Sequence, residues 1–168
     1  GGPCSAVCKA EATDVIVLWA RAFPVREGVY NAVAFVRNPN RFGAARLSYR
    51  FKLYDRDNLL IKEVEGETYI NPEEEFPIIA NNIGVGVRLP SRTIFEIVSR
   101  SDWLRIDVSR RPTLLAKNKS ISRFPRPILS ATLENGSLFA AGNISIVAIV
   151  LDKNGNAAAA SSSFVENL

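Results

Sequence analysis

The feature that most constrains this chain of 168 residues is an internal repeat. When the sequence is aligned with itself at an offset of 97 positions and without gaps, Asn38 meets Asn135 and Asp55 meets Asp152. The apolar positions of one segment coincide as well, with Leu47, Tyr49, Phe51 and Leu53 meeting Ile144, Ile146, Ala148 and Val150. Because apolar spacing and turn residues match in one register, the sequence predicts two copies of the same structural module.

Apolar and polar residues alternate through much of the chain, most clearly over residues 46–54. This period of two is typical of a strand with one buried face. Residues 55–58 follow as a turn and residues 59–65 as the returning strand. Further strands are predicted at residues 14–22, 29–37, 76–81, 93–99 and 102–108. Short strands separated by turn residues, with no long helical pattern, predict an all-β fold of two tandem β-sandwich modules.

The repeat also predicts the domain boundaries. Residues 1–10 form a cysteine-containing segment, residues 11–108 the first sandwich, and residues 109–168 a partial second sandwich. A second copy ending 97 positions after residue 108 would need 37 residues beyond Leu168. We expect the native protein to continue past Leu168; the alternative is that a strand of another chain completes the second module by β-augmentation.

The net charge of +4 is unevenly distributed along the chain. Residues 100–126 contain eight Lys and Arg against two Asp, a local charge of +6, so the remainder sums to −2. Such a segment can attract an anionic polymer. The favoured interpretation is a solvated linker and strand edge kept soluble by its charges. The candidate contacts to a polyanion are Arg105, Arg110, Arg111, Lys117 and Lys119.

The chain has no His, which excludes a Ser-His-Asp triad, a Cys-His pair and a His-ligated zinc site. The three adjacent Glu at 73–75 are more typical of a solvated loop than of a pair of catalytic carboxylates. Residues 55–58 lack the later ligands of a calcium loop. Lys119 and Ser120 lie in no nucleophile motif. We therefore expect no enzyme activity, catalytic residue, cofactor, metal site or small-molecule substrate.

Both cysteines lie near the start of the chain, at Cys4 and Cys8 within Gly-Gly-Pro-Cys-Ser-Ala-Val-Cys. With no second pair and no His, they cannot complete a tetrahedral metal site. We interpret them as members of a small disulfide knot in an oxidising compartment, and leave their pairing open. No apolar run is long enough to span a membrane, so any anchor is expected upstream of Gly1. The lack of Met indicates a piece of a longer product.

The residues Phe51-Lys52-Leu53-Tyr54-Asp55 spell F-x-L-Y-D. This motif resembles the FxLYD-type immunoglobulin-like domains of bacterial cell-surface proteins, and the second copy keeps its aspartate as Asp152. The N-terminal Gly-Gly-Pro-Cys resembles the end of a D-C-G-G-P-C segment in membrane-anchored surface proteins of candidate-phyla bacteria. The resemblance implies tandem immunoglobulin-like modules, extracellular and on a bacterial cell surface, anchored by an upstream transmembrane helix. It implies no particular biochemical activity.

Within the motif, Phe51 and Leu53 are predicted to point into the sandwich and Tyr54 to lie across the strand end. Asp55 is predicted to accept backbone N–H groups of its turn. Trp19 and Trp103 are expected in the core or between sheets. The expected function is a non-enzymatic structural, adhesion or assembly module with protein partners or self-association. The alternative is a module that binds an anionic polymer or carbohydrate through the basic segment.

Overall fold

The computed structural model describes residues 2–3 and 13–168, so Cys4 and Cys8 lie outside the described residues. Most of the described residues lie in strands, and the one helical element among them is a short 3-10 turn, η1 (Val108–Arg110). The strands are β1 (Gly2–Pro3), β2 (Ile16–Arg26), β3 (Val29–Arg37), β4 (Gly43–Tyr54), β5 (Leu60–Ile70), β6 (Glu75–Gly84), β7 (Arg92–Arg100), β8 (Leu104–Arg105), β9 (Leu114–Ser122), β10 (Ile128–Asn135), β11 (Gly142–Leu151) and β12 (Ala157–Asn167).

Strands β2 to β8 form two antiparallel sheets, and we call them the first module. One sheet has the order β2-β3-β6. In the other, β4 lies between β5 and β7, and the short β8 pairs with the start of β4 on one side and with β1 on the other. The predicted all-β, sandwich-like fold is confirmed.

The main core fills the space between these two sheets, because β4 turns one face inward. Phe51 and Leu53 are fully buried, whereas Arg46 on the opposite face is exposed. The rings of Tyr49, Phe51 and Phe95 lie with their centroids 5.0 to 5.7 Å apart. The facing sheet contributes Ala32, Ala34, Val36, Ile78 and Ala80. Aromatic residues on β4 and β7 thus meet small residues on β3 and β6, which is how a tightly packed interior is filled.

Strands β9 to β12, the second module, form two antiparallel hairpins, β9–β10 and β11–β12. Strand β12 begins and ends 97 positions after β5, and the other three strands begin within two positions of the same offset. The turn before β5 and the turn before β12 also agree, since Asn58 and Gly155 occupy equivalent positions with φ of 62° and 80°. Both residues tolerate this left-handed backbone conformation.

The predicted strand at residues 102–108 is wrong over most of its length. Only Leu104–Arg105 pairs as a strand, and Val108–Arg110 forms the 3-10 turn. The carboxylate of Asp107 accepts hydrogen bonds from the backbone N–H and the hydroxyl of Ser109, which ends the extended backbone. Other strands run further than predicted, and β5 reaches Ile70.

A glycine in β5 generates the first testable prediction. Gly66 lies opposite Tyr49, and a Cβ there would lie 2.6 Å from Cζ of the tyrosine. Because this ring is packed against Phe51 and Phe95, moving it away from residue 66 would disturb the core. We expect Gly66→Ala to lower the free energy of unfolding by about 1–3 kcal/mol, measured by urea denaturation. Gly84→Ala is the matched control, since a Cβ there meets nothing within 4 Å. Equal stabilities of the two variants would contradict the prediction.

Candidate functional site

The hairpin β11–β12 packs on the outer face of the β2-β3-β6 sheet, so the two modules are joined by a contact as well as by the linker. Phe23, Val33 and Ala160 form a buried apolar cluster, with exposed fractions of 3%, 0% and 8%. The partly buried Trp19, Ile79, Ile149 and Ala157 pack around this cluster. We call these seven residues the inter-module contact. It is the place where the two halves of the repeat meet.

Hydrogen bonds fix the register of the inter-module contact. The amide nitrogen Nδ2 of the buried Asn31 donates to the backbone oxygen of Ala160 at 2.9 Å, and its Oδ1 accepts from the backbone N–H of Asn82 at 2.9 Å. Arg21 donates to the backbone oxygen of Ala157 at 2.8 Å. Since both ends of the Asn31 amide have partners, its burial carries little desolvation cost while its direction constrains how the hairpin lies.

A further hydrogen bond lies at the rim of the same contact. Nδ2 of Asn81 on β6 donates to Oγ of Ser162 on β12 at 2.7 Å. With it, polar groups from β2, β3 and β6 all reach the hairpin. The contact is therefore an apolar centre bordered by specific polar pairs, the usual anatomy of a protein interface.

The two copies of the repeat diverge where the modules meet. The outer face of β4 and β5 in the first module is charged. Nη2 of Arg50 forms an ion pair with Oε1 of Glu65 at 2.6 Å, and Nζ of Lys52 forms one with Oε1 of Glu96 at 3.1 Å. At an offset of 97 positions, Arg50, Lys52, Glu63 and Glu65 become Val147, Ile149, Ala160 and Ser162. The second copy has thus lost its charges on the face that packs on the first module. Sequence reasoning missed this contact, although this substitution pattern could have revealed it.

The structure places the F-x-L-Y-D residues at one end of the first module. Phe51 and Leu53 point inward, and the guanidinium of Arg92 lies 4.9 Å from the ring centroid of Tyr54. Tyr54 is therefore held through its ring face, as a cation–π contact, at the end of β4.

The turn at Asp55 is held by its own carboxylate. Oδ1 accepts from the backbone N–H of Asp57 and of Leu59, both at 3.0 Å, and Oδ2 accepts from Arg88 at 2.6 Å. The hydrogen bond from Arg88, followed by the backbone bond from Leu59, lowers the pKa of Asp55. Arg88 also donates to the backbone oxygen of Leu60 at 3.0 Å. Both carboxylate oxygens are thus engaged within the protein.

The equivalent aspartate of the second module makes the same local contacts. Oδ1 of Asp152 accepts from the backbone N–H of Asn154 at 2.8 Å and of Asn156 at 3.0 Å. The backbone bonds that close the two turns match as well. Asp55 and Asp152 therefore hold equivalent turns in the two modules.

The basic segment does not present five free cations. Nη2 of Arg111 lies 3.6 Å from Oε1 of Glu74, and Nζ of Lys117 lies 2.6 Å from Oε2 of Glu134, so both cations form ion pairs. Arg105 instead lies over the ring of Phe42, with its guanidinium carbon 5.1 Å from the centroid. The remaining two of the five, Arg110 in η1 and Lys119 on β9, are exposed.

The other residues singled out from the sequence occupy structural positions. Glu74 pairs with Arg111, and Glu75 is bonded to Arg37. Trp103 is buried beside Ala45, Leu47 and Ile70, and Trp19 stacks on Phe35 with centroids 5.8 Å apart. Over residues 2–3 and 13–168, no group of three or more His, Cys, Asp and Glu is arranged to hold a metal ion. The same stretch of chain contains no helix long and apolar enough to cross a membrane.

Comparisons of the chain with protein-family models, with curated proteins and with solved structures found no match.

The Asp55–Arg88 pair predicts a pH dependence of stability. The pKa of Asp55 is lowered in the folded state, so the ionised carboxylate adds to the free energy of unfolding. This contribution is fully present above about pH 4, the ordinary pKa of Asp, and is lost as the pH falls through the lowered pKa. Removing the guanidinium with Arg88→Gln is expected to make the acid-side loss of stability shallower, measured by urea denaturation between about pH 5 and 2. Arg56→Gln, a change of the neighbouring turn residue, is the control. Identical acid limbs for Arg88→Gln and the unmodified chain would contradict the prediction.

Proposed function

We propose that this chain is a non-enzymatic structural segment of a bacterial cell-surface protein, in which two immunoglobulin-like modules stack at a fixed angle to form part of a stalk, adhesin or assembly element. The observation that carries the proposal is the inter-module contact. Domains joined by a linker move independently by default unless an apolar interface holds them. Here Val33 of the first module and Ala160 of the second are buried in one apolar cluster, and Asn31 donates a hydrogen bond to the backbone oxygen of Ala160. A fixed angle is what a load-bearing or spacing element requires.

The order of the strands supports the immunoglobulin-like interpretation. In that fold the second strand pairs with the fifth in one sheet, and the third pairs with the sixth in the facing sheet. The first module has this arrangement if β2 is taken as the first strand, because β3 pairs with β6 and β4 pairs with β7. The F-x-L-Y-D motif then lies at the end of the third strand, β4.

The cell-surface location rests on sequence features. Cys4 and Cys8 in a Gly- and Pro-containing segment favour an oxidising compartment. The resemblance of this segment and of F-x-L-Y-D to bacterial surface proteins gives the same location. The partners expected of such an element are proteins of the cell surface or further copies of itself.

The fixed angle is testable by breaking the inter-module contact. An Ala160→Glu change places an unpaired carboxylate in the apolar cluster. Because burial of an unpaired charge is strongly unfavourable, the contact is expected to separate. Spin labels on Glu67→Cys and Lys153→Cys, with Cys4 and Cys8 changed to Ser, report the distance between the first module and the hairpin β11–β12 that forms the contact. We expect a narrow distance distribution in the parent and a broad one in Ala160→Glu. The matched control is Ala158→Glu, because Ala158 is exposed on the same strand. A parent distribution as broad as that of Ala160→Glu would contradict the proposal.

A second candidate function, binding of an anionic polymer, is favoured by one observation. The guanidinium carbons of Arg41 and Arg105 lie 5.3 and 5.1 Å from the ring centroid of Phe42, which is 39% exposed. Neither arginine forms an ion pair with a described carboxylate. Two cations held around one exposed ring form a compact positive surface that suits sulfate or phosphate groups.

This second candidate predicts salt-dependent retention on a heparin column. The double change Arg41→Glu and Arg105→Glu is expected to abolish retention, since it reverses both charges around Phe42. The matched control is the double change Arg111→Glu and Lys117→Glu, which alters the charge by the same amount at residues that already have carboxylate partners. Absence of retention by the parent at low salt, or an equal loss in both variants, would contradict it.

A further inference from the structure

The loop between β9 and β10 carries the most exposed aromatic ring among the described residues. Phe124 is 87% exposed, and no other described Phe, Tyr or Trp reaches this value. It lies within residues 123–127, which directly follow β9 and which we call the β9–β10 tip. Because aromatic side chains usually bury a large apolar area, a ring left in water at the end of a hairpin indicates a binding contact.

Completion of the second module would not cover this ring. At the offset of 97 positions Phe124 corresponds to Glu27, which lies in the loop between β2 and β3. In the first module β6 is paired with β3 and β7 with β4, and Glu27 is nevertheless exposed. If the chain continues past Leu168 in the pattern of the first copy, residue 124 therefore stays at the surface.

The β9–β10 tip is also cationic. Arg123 and Arg126 are exposed, and neither forms an ion pair with a described carboxylate. Residues 108–133 contain no Asp or Glu, so no acidic side chain nearby in the sequence offsets these charges. The equivalent loop of the first copy has Arg26 next to Glu27 and is neutral. The second copy has thus replaced a neutral loop by one with two cations beside an apolar ring.

The backbone of the β9–β10 tip is restrained. The hydroxyl of Ser122 donates to the backbone oxygen of Phe124 at 3.2 Å. Pro125 and Pro127 fix the φ angles on either side of Arg126. A loop restrained in this way loses less conformational entropy on binding than a flexible one.

The chemistry of the tip fits the surface of an anionic bilayer. An apolar ring gains free energy where it leaves water, and the boundary between lipid headgroups and acyl chains offers such a place to Phe. Arginines beside the ring gain from the negative surface potential of anionic headgroups. A sulfated or phosphorylated polymer would pair with Arg123 and Arg126 but would leave the ring of Phe124 in water.

We propose that the β9–β10 tip inserts Phe124 into the interface of a bilayer that contains anionic lipids, with Arg123 and Arg126 bound to headgroup phosphates. This goes beyond the proposed function, since neither the inter-module contact nor the stacking of modules enters it. The binding is expected to be reversible and salt-dependent, because one ring and two exposed cations supply it.

The test measures co-sedimentation of the full chain with vesicles of equal parts phosphatidylglycerol and phosphatidylcholine at low salt. We expect binding to these vesicles and at least about tenfold weaker binding to phosphatidylcholine alone. Phe124→Ser is expected to weaken binding to the mixed vesicles at least about fivefold, and Phe124→Trp to retain it. The matched control is Val87→Ser, which removes another exposed apolar residue beside an arginine, Arg88, that is already paired with Asp55.

A second pair of variants tests the cations. The double change Arg123→Gln and Arg126→Gln is expected to weaken binding to the mixed vesicles about twentyfold, since each cation near an anionic surface contributes about fivefold. The control is the double change Arg56→Gln and Lys153→Gln, which removes the same charge from exposed, equivalent positions of the two turns. We expect it to leave binding close to the parent value. Circular dichroism melting verifies that all variants fold.

A fluorescent label locates the contact. The carrier is Phe124→Cys with Cys4 and Cys8 changed to Ser, coupled to a fluorophore whose emission shifts to the blue in an apolar environment. We expect this shift on the mixed vesicles, together with quenching by spin-labelled acyl chains. The same label on Val87→Cys should show neither effect.

The proposal is overturned if the parent does not bind the mixed vesicles, if Phe124→Ser and Val87→Ser lose equal affinity, or if the label at residue 124 stays in water. An equally large effect of Phe124→Ser on retention by heparin would also overturn it, because the ring would then act on something other than a bilayer. None of these measurements involves the spin-label distance in the vesicle-free chain, so failure here is distinguishable from failure of the proposed function.

Discussion

Strand β3 is buried on both of its faces, and the rest of the structure depends on this constraint. One face places Ala32 and Ala34 in the core of the first sandwich. The other face places Val33 beneath the hairpin β11–β12, and the side chain of Asn31 bonds to Ala160 there. A strand buried on both faces has no solvated side, so its outer face needs a cover. The second module supplies that cover, which makes the inter-module contact part of the protein's interior.

Small side chains make this double burial possible. The alanines of β3 leave room for the aromatic rings of Phe51 and Phe95 on the facing sheet. On the outer side, Ala160 lets the backbone of β12 approach closely enough for Asn31 to reach its carbonyl oxygen. A longer side chain at residue 160 would separate the strands and leave the buried amide without its acceptor. Packing and hydrogen bonding at the contact are therefore coupled through one small residue.

The sequence predicted features that depend on neighbouring residues and missed those that depend on distant ones. The alternation in β4 and the turn at Asp55 are local, because the carboxylate bonds to residues two and four positions further along. Period-two alternation says which residues share a face, but not which faces of two sheets meet. The inter-module contact therefore remained hidden, although Ile149 stands where the first copy has Lys52. The prediction of a strand at residues 102–108 was wrong because Asp107 forms a local turn that competes with the extended backbone.

The charged β4–β5 face of the first module restricts which of its two sides can pack against another module. A hairpin can cover the outer face of a β2-β3-β6 sheet only if its own outer face is neutral, as that of β11–β12 is. The equivalent face of β4–β5 bears Arg50 bonded to Glu65 and Glu63, with Lys52 paired to Glu96. Burying that network against another module would desolvate several charges at once. Repeat proteins end in units with a polar outer face. By the same physics, the first module leaves its charged β4–β5 face exposed and packs the second module on its β2-β3-β6 side.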